Sequence, residues 1–302
     1  MFKVITRATS MKGLTLAAFS ALTLSVITTA ATFAYKGGMD AVTLVAARAL
    51  AGFLSAAFFV ACLRRVPRIA PKMGLITIGM SVSQLMINFG YMASVFFIPV
   101  SLAALIFYSF PVLVLIIDAI AKHRFPPLGV TLAFVIALGG LTIALGPSFN
   151  TLNGFGLFSA GLASIGGALL IIFGVKLTRR AGALATFFHL QLIACGVTTY
   201  IMLLFGGPAL PVAKLGWCAL MVACVAYVVG VGTQVVALKI LEPAPAALIY
   251  NLEPIGTLAI AAWLLNERLS PLQYFGCAMV IAAITIAGQG WAKKTANDSA
   301  ED

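Results

Sequence analysis

Residues Ala103–Ala121 read AALIFYSFPVLVLIIDAIA, and residues Ala246–Leu264 read AALIYNLEPIGTLAIAAWL. Set 143 residues apart, the two stretches are identical at eight of nineteen positions. The matches are Ala103/Ala246, Ala104/Ala247, Leu105/Leu248, Ile106/Ile249, Pro111/Pro254, Leu115/Leu258, Ile117/Ile260 and Ala119/Ala262. The few residue types that fill apolar spans would give roughly two or three by chance. The offset is close to half of the 302 residues, so the chain reads as one unit followed by a second copy of it.

The composition says what that unit is made of. Hydrophobic residues make up 62% of the chain and charged residues 9%. A soluble domain averages about 45–50% apolar and 25% charged. No water-soluble fold of this length hides so much apolar surface, which excludes a cytosolic enzyme, a nucleic-acid binder and a disordered chain. A helix needs about 20 apolar residues to cross the hydrocarbon core. That ruler finds ten spans: 13–34, 41–62, 73–94, 98–120, 128–146, 155–175, 184–205, 215–238, 243–265 and 271–290. The breaks between them are short and carry turn or charge signals, such as YKGGMD, KLTRRAG and NERLSP. The first span follows Lys3, Arg7 and Lys12 and resembles a signal peptide. At about 22 residues it exceeds a usual signal core, and the repeat requires it as a span, so it is expected to be retained.

Ten spans in two copies are five per copy, and an odd number makes the second copy cross the membrane in the opposite sense. The charges test this. With the N-terminus cytoplasmic, 15 of the 19 Lys and Arg fall inside and three outside, with Arg48 within a span. Equivalent loops take opposite characters. Arg64, Arg65, Arg68 and Lys72 lie inside, while their counterpart carries Lys214 alone outside; Lys36 lies outside, while its counterpart holds Lys176, Arg179 and Arg180 inside. The net charge of +11 then records orientation rather than a partner. The expected fold is an all-α integral membrane protein. Ten transmembrane helices form two inverted five-helix repeats, residues 1–150 and 151–292, with a disordered cytoplasmic tail at 293–302. Both termini are cytoplasmic.

The stretch LEPAPAALIYNLEPIGTLAIAAWLLNERLSPLQYFGCAMVIAAITIAG resembles the last two helices of EamA-type members of the drug/metabolite transporter superfamily. The first-half stretch SLAALIFYSFPVLVLIIDAIAKHRFPPLGVTLAFVIALGG is similar to the corresponding first repeat. The Pro-containing helix, then NERLSP, then a Gly-containing apolar helix is the most specific piece. His123 departs from the pattern, standing before Arg124 where an acidic residue is usual. The resemblance implies ten helices around a central cavity and transport of small metabolites by alternating access, commonly export, and says little about which substrate.

The residues that could carry chemistry are those where composition leaves no room for them. Arg48 stands about 10 Å below the outer end of its helix at 1.5 Å per residue. A charge at that depth should face the bundle interior. It either holds a substrate carboxylate or phosphate or ties helices together through backbone carbonyls. Its repeat counterpart is Gln191, beside His189; Gln191 is also polar and is read as lining the cavity with Arg48. Glu253 precedes Pro254, where the first copy has Phe110 before Pro111. It is a candidate for proton coupling, for binding a substrate amine, or for charge pairing with Arg48. Gln84, Asn88 and Tyr91 follow i, i+4, i+7 and share one helix face. Tyr227 and Gln234 answer from the eighth span, and Tyr108, Tyr250 and Asn251 from the fourth and ninth. These uncharged polar and aromatic groups are read as lining the cavity. Pro111 and Pro254 are read as kinks, the hinges or gates of the fold. Asp118 is expected to pair with Lys122 at i+4, and Gly161, Gly166, Gly167, Gly230 and Gly232 to mark close helix packing.

The function expected from this sequence is secondary active transport of a small metabolite, an amino acid or related zwitterion or organic anion, across a bacterial cytoplasmic (inner) membrane. The alternative is a passive facilitator, an exchanger, or an uptake carrier for a vitamin- or nucleoside-like molecule. The chain has no GxxxxGK[ST] motif, and its eight acids and two His are dispersed, which argues against ATP hydrolysis and against an enzyme. The five cysteines form no CxxC pair and neither His lies at metal-ligand spacing, so no metal and no cofactor are expected. The expected partners are the substrate, the lipid bilayer, and a proton or counter-substrate. Nucleic acid is not among them, and the chain is read as a monomer or weak dimer.

Overall fold

A computed structural model describes residues 11–64, 67–150, 152–264 and 268–298. Among them the helices are α1 (Met11–Lys36), α2 (Ala41–Leu63), α3 (Gly74–Phe97), α4 (Val100–Phe107), α5 (Phe110–Lys122) and α6 (Leu128–Leu145). The second half supplies α7 (Gly154–Ala181), α8 (Ala183–Leu204), α9 (Lys214–Ile240), α10 (Pro243–Ile249), α11 (Leu252–Leu264) and α12 (Pro271–Asp298). Pairing α4 with α5 and α10 with α11 gives ten units long and apolar enough to cross a membrane, as the sequence reading expects. Helix starts have local causes. The Asp40 carboxylate accepts from the Thr43 amide at 2.6 Å to open α2, and Asn153 Oδ1 accepts from Phe155 and Gly156 to open α7.

Two boundaries differ from the sequence reading. KLTRRAG is not a loop: α7 runs on through Arg179 and Arg180 to Ala181, and α8 begins at Ala183. The whole turn is Gly182, whose φ of +86° only glycine adopts without strain. At the other end of the chain, α12 continues to Asp298, where 293–302 was read as disordered. Lys3, Arg7, Arg65 and Glu267, used in the charge reading, lie outside the described residues.

The fourth and ninth spans are each interrupted for two residues, beside the prolines expected to kink them. α4 stops at Phe107 and α5 starts at Phe110; α10 stops at Ile249 and α11 starts at Leu252. Pro111 and Pro254 follow each break by one to three residues, because a proline removes the hydrogen bond that would carry the helix across. At the first break Ser109 makes up part of the deficit, donating from Oγ to Ile106 O at 2.7 Å.

Helix packing crosses between the halves. α3 packs on α7, and α1 on α9; α5 packs on α7, and α11 on α1. α2 pairs with α8, and α6 with α12. Exchanging the halves maps this set of pairings onto itself. α7 is the most enclosed span.

The bundle has two ends. At the distal end the loops meet one another: the Val212 amide donates to Gly37 O at 2.9 Å, and the Ala209 amide to Thr43 Oγ1 at 3.0 Å. At the proximal end, where α1 begins and α12 finishes, Lys122 and Arg179 both reach Glu242.

Of the glycines read as packing sites, Gly166, Gly167 and Gly230 press against neighbouring helices, while Gly161 and Gly232 face open space. The tightest approach to another helix's backbone was not anticipated. A Cβ on Gly276 of α12 would stand 2.5 Å from the Ala144 amide and Gly140 O of α6, and one on Gly140 would stand 2.8 Å from Gly276 O. Backbone lies on both sides and cannot give way. A Gly276→Leu variant should therefore lose about 1–3 kcal/mol, read as a lower Tm of the detergent-purified protein. Gly139→Ala, where nothing stands within 4 Å, should melt as the parent does.

Candidate functional site

α1, α2, α3, α7 and α9, with the two breaks, enclose a cavity of about 610 Å³ in the middle of the bundle. That lies within the range of small-molecule sites, about 300–1,000 Å³. Its wall reaches the distal end through Tyr35, Met39 and Ala41 on one side and Phe96 and Val100 on the other. Its deep surface carries Tyr108, Tyr250 and Glu253, the residues at the two helix breaks.

Nine of the residues singled out in the sequence lie on this wall: Arg48, Gln84, Asn88, Tyr91, Tyr108, Tyr227, Gln234, Tyr250 and Glu253. They come from five separate spans. The stripe on α3 does share one face, and Gln84 Nε2 donates to Asn88 Oδ1 at 3.4 Å along it.

Arg48 is the cation of the site. Its guanidinium stands over the Tyr227 ring, with Cζ 5.4 Å from the centroid, within cation–π range. Its Nε is buried without a hydrogen-bond partner. Among the described residues the ion pairs join Lys122, Asp118, Arg179 and Glu242, and neither Arg48 nor Glu253 takes part. Charge pairing between Arg48 and Glu253, one of the readings the sequence left open, is therefore not made as a direct contact.

Glu253 lies in the first turn of α11. The unpaired amides at a helix N-terminus favour a carboxylate there, so the break that opens the helix also supplies Glu253 with a favourable field. The Tyr108 hydroxyl is its neighbour from the opposite break. The Tyr250 hydroxyl donates to Ser20 Oγ at 3.2 Å, and Ser20 passes its own proton to Gly230 O at 2.7 Å, tying α1, α9 and the second break together.

Two expected wall residues are elsewhere. Gln191 is wholly buried behind Tyr227, where its Oε1 accepts from the Tyr227 hydroxyl at 3.3 Å. It fits because its neighbour on α2, one turn from Arg48, is Gly52: a Cβ there would come 2.7 Å from the Gln191 carboxamide. Asn251 is buried at the second break, off the wall, while Tyr250 takes the cavity side. Neither proline lines the cavity; both act through the breaks. His189 is satisfied within its own helix, with Nδ1 2.9 Å from Ala185 O.

The sequence reading missed an aromatic and hydroxyl part of the wall: Tyr35, Phe96, Phe107, Phe110, Thr28 and Thr32. Tyr35 falls in the YKGGMD stretch that was read as a break between spans. Thr32 bonds to Thr28 O, at 3.2 Å, and still borders the cavity. The aromatics gave no separate signal among the many apolar residues of their spans.

Comparison with known proteins places this arrangement. A crystal structure titled "Crystal structure of protein" is similar to it with a TM-score of 0.77, over 91% of this chain and 97% of that one, at 14% sequence identity. The likeness at that identity is one of fold. Among curated proteins no significant sequence match is found. Residues 154–288 match the model of the EamA-like transporter family, in agreement with the resemblance seen in the sequence. With its ten apolar helices, this multi-pass membrane protein is thus similar over its second half to the EamA-like transporter family.

Proposed function

We propose that the chain is a secondary transporter that carries a small organic anion or zwitterion across the cytoplasmic membrane by alternating access, with Arg48 as the anchor for the substrate's negative group. The observation that carries this reading is a membrane-embedded guanidinium on a cavity wall, with its Nε buried and unpartnered and no carboxylate in an ion pair with it. A charge at that depth is costly, and an arginine serving only to join helices would be expected to hold carbonyls or acids. Five donors in a planar fork suit a carboxylate or phosphate. The surrounding rings offer flat apolar surface, which suits a molecule with one charged end and an unsaturated or aliphatic body.

The halves are read as an inverted repeat. The odd number of spans per copy requires it, and the pairings α3–α7 with α1–α9 and α5–α7 with α1–α11 are those such a pseudo-two-fold would exchange. The positive-inside distribution puts the proximal end in the cytoplasm. The cavity, which reaches the distal end, then faces outward.

Glu253 has two possible jobs in this scheme. It carries a coupled proton, or it holds the ammonium of a zwitterion. A metabolite screen by thermal shift on purified protein, followed by flux in proteoliposomes, tests the whole reading. Arg48→Ala should weaken the anionic hits about 10- to 100-fold, the scale of a lost hydrogen bond to a charged group, while leaving the ligand-free Tm near that of the parent. Wild-type affinity and flux in Arg48→Ala would end the anchor reading. Glu253→Gln separates its two jobs: loss of pH-gradient dependence with counterflow intact marks the proton carrier, and loss of both marks the substrate site. Counterflow in the unmodified protein distinguishes a carrier from an open passage.

A further inference from the structure

The two ends of the bundle are closed by different chemistry. At the proximal end Lys122, the last residue of α5, donates from Nζ to Asp118 Oδ2 at 2.8 Å and reaches Glu242 Oε2 at 3.2 Å. Glu242 caps the start of α10 and takes Arg179 of α7 on its other oxygen, at 2.9 Å. The same Arg179 Nη2 donates to Leu241 O, the last carbonyl of the α9 corner, at 2.8 Å. Four charges thus join α5, α7 and the α9–α10 corner. Lys122–Glu242 is the member of this set that connects the first half of the chain to the second. Between these charges and the deep wall of the cavity lies a dry layer that includes Val114, Leu238 and Leu241, none of them exposed.

The repeat does not carry the two acids of this cluster to the other end, although Arg179 has a basic counterpart in Lys36. Shifted by 143 residues, Glu242 corresponds to Pro99, Asp118 to Ala261 and Lys122 to Leu265. Neither position equivalent to an acid of the cluster is itself acidic. There the corresponding corner is apolar, with Phe96 and Val100 well exposed beside the cavity.

We propose that the Lys122–Glu242 pair, held in place by Asp118 and Arg179, is a latch between the two halves that keeps the proximal end shut and so sets the resting state of the protein with its cavity open distally. The inference rests on the transporter reading for its meaning but not for its test, since the latch is read from accessibility and not from flux. Lys122 is 40% exposed and Glu242 20%. The pair is therefore strong enough to bias two arrangements of similar energy and weak enough to be broken in each cycle. Being partly exposed, it is also screened by salt.

The test uses the full chain in membrane vesicles of both orientations. One cysteine is placed in the dry layer at Ala247, a residue with no exposed surface on α10, and, in a separate variant, one at Thr32 on the cavity wall. A membrane-impermeant thiosulfonate is added, and labelling is read peptide by peptide by mass spectrometry, so that the five native cysteines serve as internal references. With the latch intact, Thr32→Cys should label from the distal face and Ala247→Cys should stay silent from the proximal face. Adding Lys122→Ala should raise proximal labelling of Ala247→Cys about two- to fivefold, the scale of a partly exposed ion pair, and lower distal labelling of Thr32→Cys. Lys122→Arg, which keeps the charge, should restore the original pattern. Raising salt from 0.1 to 1 M shortens the screening length from about 10 to 3 Å and should move the unmodified latch the same way without any substitution there. Labelling that is unchanged from both faces by Lys122→Ala and by salt would overturn the latch. It would leave the Arg48 reading intact, because that is measured by ligand affinity.

Discussion

In hydrocarbon each backbone amide and carbonyl must find a partner within the protein, because no water is there to supply one. Ten uninterrupted helices satisfy this rule. The fourth and ninth spans are interrupted, between Phe107 and Phe110 and between Ile249 and Leu252, and there the amides of Tyr108, Ser109, Tyr250 and Asn251 still bond to carbonyls of their own span. Interrupted helix at membrane depth is tolerated where it is buried in protein or lines a cavity. Both breaks do the latter: Tyr108 and Tyr250 stand on the cavity wall, and Glu253 occupies the first turn of the helix that restarts after the second. The half-helices follow from the two prolines, and the acid sits in the first turn of the helix that restarts at the second of them.

The cation is held by different means. Arg48 lies on an unbroken helix and is supported from behind. Tyr227 gives its ring face to the guanidinium and its hydroxyl to Gln191, and Gln191 occupies the space that Gly52 leaves on α2. The support comes from α2, α8 and α9. It uses an aromatic face, which attracts the guanidinium without occupying its N–H groups. A carboxylate in the same place would neutralise the charge that the cavity displays.

How much of this could be read from the sequence differs by element. The spans were legible because hydropathy and length are one-dimensional properties, and the Asp118–Lys122 contact because i+4 neighbours on a helix need no knowledge of the rest of the fold. The α7–α8 turn was misread because charges were taken as a loop signal, whereas a single glycine suffices and the basic residues belong to the last helical turn. Gln191 was expected on the wall because it is the repeat counterpart of Arg48. The two positions are equivalent in the chain, but a small residue at 52 lets one side chain sink behind an aromatic ring while the other stays on the wall. Asn251 and Tyr250 are adjacent, and which of the two faces the cavity depends on the rotation of the chain at the break, which periodicity cannot supply. The Lys122–Glu242 contact spans 120 residues and needed the fold itself.

The turn at Gly182 has a mechanical meaning. A connection of one residue contains no slack, so α7 and α8 cannot drift apart; they can only pivot about a single pair of backbone torsions. α7 bears Arg179 near that pivot, and α8 bears Gln191 about two turns beyond it, against α2 and the Tyr227 ring. The two helices behave as a bell crank, with one arm at the charged corner and the other bearing on the support of Arg48. The support of Arg48 and the charged corner at Glu242 are thus carried on one pair of helices joined by a single residue.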